Sequence, residues 1–103
     1  MTDTSPYNQM CYHCSQCAEK IIEAVLLESD IAPKQTHDLI WLAEMLPDSD
    51  SKEKLYSRCE VLKPYATMTR YPYTKDGVFR ASEEDAADAY DSLLEILRIL
   101  GDV

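Results

Sequence analysis

The sequence predicts an all-α fold, an up-and-down bundle of four main helices. Three observations point to it. Gly occurs 2 times and Pro 5 times in 103 residues, which leaves little of the turn chemistry an all-β chain needs. Hydrophobic residues make up 46%, enough for a packed core, and they recur at helical spacing. The stretches that carry them are rich in Leu, Ala, Glu and Ile, residues that suit helices. The length fits one domain over residues 1–103.

Residues 1–7 read as a short flexible lead. The spacing predicts a first helix from about Asn8 to Ser29, with Met10, Cys14, Cys17, Ile21, Ala24, Val25 and Leu27 on its apolar rhythm. Asp30 to Lys34 breaks that rhythm, with Pro33 as punctuation. A second helix begins at Thr36, a good N-cap. Leu39, Leu42, Ala43 and Leu46 form its inner stripe. Ile40, Trp41 and Met45 make it apolar nearly all round, so it is expected to be the most buried element, ending at Pro47.

A third helix starts near Asp50, with Glu53 placed as in a capping box. Leu55, Cys59 and Leu62 share one face, and Pro64 stops or kinks the helix. Residues 65–81 form an aromatic-rich connection holding Tyr65, Tyr71, Tyr73 and Phe79. The last helix opens with Ser82 and Asp85 as a capping box. Glu83, Glu84 and Asp85 suit the positive end of its dipole. Ala86, Tyr90, Leu93, Leu97 and Leu100 make its seam, and Gly101 is a natural stop. No strand is expected. Such helices can bury their stripes only against one another.

Charge narrows the function classes. The net charge is -9 and the pI about 4.5, with no Lys/Arg run. That argues against a nucleic-acid backbone as the main partner. No stretch reaches the roughly 20 apolar residues of a membrane span. The first ten residues are neither basic nor apolar, unlike a signal peptide. The expected location is the cytoplasm, where thiols stay reduced.

Cys11, Cys14 and Cys17 fall three residues apart, with His13 among them. On a helix they lie within one 120° sector, a geometry open to a soft metal with His13 or Cys59 as fourth ligand. The competing reading is core thiols. Reduced Cys packs as a small hydrophobe, and zinc spacings usually pair a short C-x-x-C with a second pair on a turn. The core reading is the one favoured here, with no metal and no cofactor expected. A disulfide is disfavoured by compartment. A Cys14–His13 nucleophilic pair is disfavoured because adjacent helix positions point about 100° apart.

Residues 12–20, YHCSQCAEK, resemble the aromatic-His-small-x-Gln-small-Ala-Glu-Lys signature of HEPN domains, the higher eukaryotes and prokaryotes nucleotide-binding family. Thr36-His37-Asp38-Leu39 is similar to the family's Thr-His-Asp-Leu. Thr69-Arg70-Tyr71-Pro72 is similar to its Arg-Tyr-Pro turn. Residues Ser82 to Leu97 resemble its terminal helix. The four matches stand in family order and cover most of the chain.

The resemblance implies small residues at Cys14 and Cys17, so that neighbouring helices approach closely. Against the family pattern, the helix that usually precedes the Tyr-His-Cys helix is missing or shortened. That implies an apolar strip covered by a homodimer, a higher homo-oligomer or another partner. Many HEPN proteins are ribonucleases carrying an Arg followed four to six residues later by a His. Here the histidines are His13 and His37, and the first Arg is Arg58. The motif is absent, so no catalytic residues are carried over.

The branch of the family without that motif implies a non-catalytic partner or substrate-binding subunit of a small nucleotidyltransferase, in a system of toxin–antitoxin type. An alternative is a nucleotide-binding homodimer using His13, Lys20, Arg70 and Tyr71. His13 and Lys20 are two turns apart on one face. Arg70 would supply a phosphate contact and Tyr71 a stacking ring. Each also has a plain structural reading, and no Gly-rich phosphate loop accompanies them. A divergent ribonuclease or thiol enzyme is the third reading. It lacks a base paired with a nucleophile at usable spacing.

Overall fold

A computed structural model describes residues 6–33, 38–47, 50–68, 73–74, 77–78 and 80–101, the side chains of 67, 68, 73, 74, 77 and 78 excepted. Five helices and one small hairpin follow in order: α1 (Pro6–Glu28), α2 (Leu39–Glu44), α3 (Lys52–Leu62), α4 (Tyr65–Met68), β1 (Tyr73–Thr74), β2 (Gly77–Val78) and α5 (Glu83–Gly101). The all-α bundle is as predicted. Its four main helices are α1, α2, α3 and α5. The one departure in class is the hairpin, antiparallel with Tyr73 opposite Val78 and Thr74 opposite Gly77.

Helix α1 starts earlier than its pattern suggested. Pro6 opens it, at a helix start where a missing N–H costs nothing. Pro6 and Tyr7 are therefore helical, and residues 1–5 of the expected flexible lead lie outside the described residues. The C-terminus of α1 is a Schellman turn. Asp30 adopts φ 59°, the Ile31 N–H donates to the Leu26 carbonyl at 2.8 Å, and the Asp30 N–H donates to the Leu27 carbonyl at 3.1 Å. The turn tips half-buried Ile31 back onto the core.

Helix α2 corrects two expectations. Its N-cap is Asp38, whose carboxylate accepts from the N–H groups of Ile40 at 3.0 Å and Trp41 at 3.3 Å. The proposed cap, Thr36, lies outside the described residues. The helix is also short and one-sided: Leu39, Leu42 and Ala43 are buried, while Trp41 is 47% exposed. A single-faced turn and a half needs only its core stripe covered, so it is not the most buried element. The Lys52 ammonium closes its far end, donating to the carbonyls of Glu44 at 3.2 Å and Leu46 at 2.8 Å.

Helix α3 buries Leu55, Cys59 and Leu62, as expected. Its N-cap is Ser51, without a side-chain capping bond, so the expected start near Asp50 shifts by a residue. Residues 65–81 are not one loop. They include α4, the hairpin and buried Ala81, while 69–72, 75–76 and 79 lie outside the described residues. At α5 the capping box forms as predicted. The Ser82 N–H donates to Asp85 Oδ2 at 2.9 Å, and the Asp85 N–H donates to Ser82 Oγ at 3.0 Å.

One core joins these helices, drawing on Cys11, Ile22 and Leu26 of α1, Leu39 and Leu42 of α2, Cys59 and Leu62 of α3, and Ala89 and Ile96 of α5. Directions follow from end contacts. Asp38, before α2, meets Lys63, after α3, at 3.4 Å, so α2 and α3 are antiparallel. Tyr65 lies in the field of Asp85 and Asp88 at the start of α5, so α3 and α5 are antiparallel too. Asn8 bonds Ala81 and Cys11 lies near Asp85, so α1 and α5 start at the same end. Helices α1 and α2 therefore both run with α5, and the alternation expected of an up-and-down bundle holds only from α2 through α3 to α5.

Candidate functional site

The cysteine stretch resolves by its turn around α1. The buried line runs Asn8, Cys11, Ser15, Ala18, Ile22 and Leu26, spaced three, four, three, four and four residues. That line is one position off the apolar rhythm read from sequence, because small polar residues occupy core places. Cys11 and Cys14 are buried and Cys17 is exposed; all four cysteines of the chain are free. Cys17 therefore does not ease a helix contact within the chain. Burial pushes the Cys11 thiol up to about 11, with Asp85 and Cys14 adding to the rise. Burial likewise raises Cys14, helped by Cys17, and takes Cys59 to about 12. These three are protonated core thiols and poor nucleophiles. Among the described residues no group of three or more His, Cys, Asp or Glu is arranged to hold a metal.

Of the four candidate binding residues, His13 and Lys20 share the exposed side of α1. The Tyr12 and His13 rings are 5.8 Å apart and tilted. The exposed Lys20 ammonium lies 3.8 Å from Oε1 of half-buried Glu23, an i,i+3 pair. Arg70 and Tyr71 lie outside the described residues, as does His37.

Sequence reasoning missed the polar side chains inside the bundle. Asn8, Ser15, Glu19 and Ser92 are all buried. Asn8 Oδ1 accepts from the Ala81 N–H at 2.6 Å, and Ser15 Oγ donates to the Tyr12 carbonyl at 2.7 Å. Among the described residues Ser92 Oγ has no hydrogen-bond partner. The signal was present: Asn8 and Ser15 continue the helical spacing of Cys11, Ala18 and Ile22 once small polar residues count as core.

The surface also carries large apolar side chains. On α5 the core line is Ala86, Ala89, Ser92, Ile96 and Leu100. Beside it Tyr90, Leu94 and Leu97 form a second stripe at i, i+4 and i+7, each more than two-fifths exposed. The predicted seam had placed Tyr90 and Leu97 inside. The structure turns the helix so that Ala89, Ser92 and Ile96 take those places, because small Ala and Ser let α1 approach closely.

Comparison with known families settles what the bundle is. The HEPN domain family model matches residues 1–103. The chain belongs to the HEPN domain family. Searches among curated proteins and among solved structures return no match. This HEPN domain carries its signature helix, α1, across the middle of the bundle, with the Glu19 of the signature buried and its Lys20 in solvent. No described helix is long and apolar enough to cross a membrane.

Proposed function

We propose that this HEPN domain is a non-catalytic interaction module. It acts as a homodimeric partner or substrate-binding subunit of a small nucleotidyltransferase, in a two-component system of toxin–antitoxin type in the cytoplasm. The observation that supports this reading most is the exposed stripe Tyr90, Leu94 and Leu97 on α5. Three large apolar side chains in one line on an acidic chain suit a protein partner better than a phosphate backbone. The sequence adds that no Arg stands before either His, so the Arg followed four to six residues later by His, which the family's ribonucleases carry, is absent from it.

The test is light scattering on the purified chain mixed with a purified minimal nucleotidyltransferase. The expected result is a joint complex that Leu94→Glu abolishes while leaving the helical circular dichroism intact. Two species that never co-elute, or cleavage of single-stranded RNA by the chain, would overturn the reading.

A second reading, a nucleotide-binding homodimer, draws on His13 and Lys20 sharing one exposed face of α1. Calorimetric titration with ATP separates the two: the partner reading expects no heat of binding, and the nucleotide reading expects heat that Lys20→Ala removes.

A further inference from the structure

The outer side of α1 carries a regular pattern that the bundle leaves uncovered. Met10, His13, Cys17, Lys20, Ala24 and Leu27 follow a strict three-four alternation along the helix, and all six are exposed. Met10 and Leu27 are large apolar side chains, 44% and 60% exposed. This is the spacing of a and d positions in a helix that packs along another helix. Met10, Cys17 and Ala24 fall at a; His13, Lys20 and Leu27 fall at d. The core line of the same helix lies on its other side, so both faces can be occupied at once.

We propose that this seam packs antiparallel against the same seam of a second copy, about a two-fold axis between Cys17 and Lys20. The proposal rests on the reading above that the domain self-associates, and supplies the surface.

The seam is complementary to itself in that arrangement alone. In an antiparallel pair each a position faces a d position. Met10 then faces Leu27 of the second copy, two large apolar groups closing each end. His13 faces Ala24, and Lys20 faces Cys17, so each long side chain meets a small one. Lys20 lays its methylenes across the seam and carries its ammonium out to the edge.

The flanking positions agree. Gln16 comes beside half-buried Glu23 of the second copy, an amide N–H beside a carboxylate. Glu28 comes beside the Tyr7 hydroxyl, both exposed. A parallel pair fails on charge. It sets Lys20 against Lys20 and, twice over, Glu23 against Glu28.

Cross-linking tests the register. In the antiparallel pair the two Cys17 residues are offset by three positions, about 4.5 Å along the axis, on helices about 8–10 Å apart. A direct disulfide between them is out of reach. Lys20→Cys places a thiol opposite Cys17 of the second copy. Under mild oxidation K20C is expected to run as a covalent dimer on a non-reducing gel, while the unaltered chain and the C17S/K20C double variant remain uncross-linked. Leu27→Glu should weaken self-association at least about tenfold in sedimentation equilibrium.

A covalent dimer from the unaltered chain would overturn the antiparallel register. A non-covalent dimer in which K20C never cross-links would overturn the seam and leave self-association standing. A monomer at all concentrations would overturn both.

Discussion

The side-chain carbonyl of Asn8 accepts a 2.6 Å hydrogen bond from the backbone N–H of Ala81, across a sequence separation of 73 residues. Both groups are buried. The bond ties the first turn of α1 to the residue that precedes the α5 capping box, and so fixes which ends of the two longest helices meet. Asn8→Ala leaves the Ala81 N–H buried and unpaired, a loss of about 1–3 kcal/mol. Urea denaturation of N8A should show a lower midpoint at unchanged slope. An unchanged midpoint would show that water replaces the side chain without cost.

Ser92 makes the opposite case. It is fully buried on the core line of α5, and its hydroxyl has no partner among the described residues. Ser92→Ala removes a desolvated oxygen and improves helix propensity, so it should stabilise the domain by about 1 kcal/mol. The check is calorimetric: the melting temperature of S92A rises by several degrees, and a fall would mean that the hydroxyl is bonded in solution.

Asp30 holds the left-handed position of the Schellman turn at φ 59°. Glycine meets no Cβ penalty there. Asp30→Gly should therefore match or exceed the parent stability by up to about 1 kcal/mol, whereas Asp30→Val should cost about 1–2 kcal/mol. Equal stabilities for D30G and D30V in thermal melts would contradict the turn.

The thiols yield a kinetic and a pH prediction. Cys17 is exposed on the single chain and the other three are buried, so a thiol-directed disulfide reagent should modify one group per chain in the dissociated, folded monomer and four after unfolding. In the folded chain Cys59 is held up from 9.0 to about 12 and Tyr65 from 10.0 to about 12, each chiefly by burial. The unfolded chain releases these protons first as pH rises. Their contribution to stability is therefore whole below about pH 9 and is lost progressively as pH climbs toward 12. Cys59→Ala should flatten that decline, as read from unfolding free energies between pH 8 and 11.

Much of the fold was legible in local chemistry. The Ser82–Asp85 box, the Leu55–Cys59–Leu62 face and the break after α1 each follow from residues a few positions apart, whose interactions do not depend on the rest of the bundle. The rotation of α1 and α5 was not legible. Both helices are apolar on more than one side, so Met10 and Leu97 fit an inner stripe as well as Cys11 and Ile96 do. Which stripe turns inward depends on close approach, and Ala18, Ala89 and Ser92 permit what Met10 and Tyr90 would block. The same ambiguity hid the candidate interaction surfaces, since a stripe read as core cannot also be read as exposed. Of the nucleotide candidates, His13 and Lys20 lie on the exposed side of α1, where helical spacing alone fixes their direction. Arg70 and Tyr71 belong to the connection outside the described residues, where no periodic pattern fixes a side chain's direction.

The proposed function requires this HEPN domain to associate. Native mass spectrometry on the mildly purified chain tests it most directly. The expected result is a bare species at twice 11.8 kDa, with no added mass of metal or nucleotide. A species at 11.8 kDa alone, persisting as concentration rises, would contradict it.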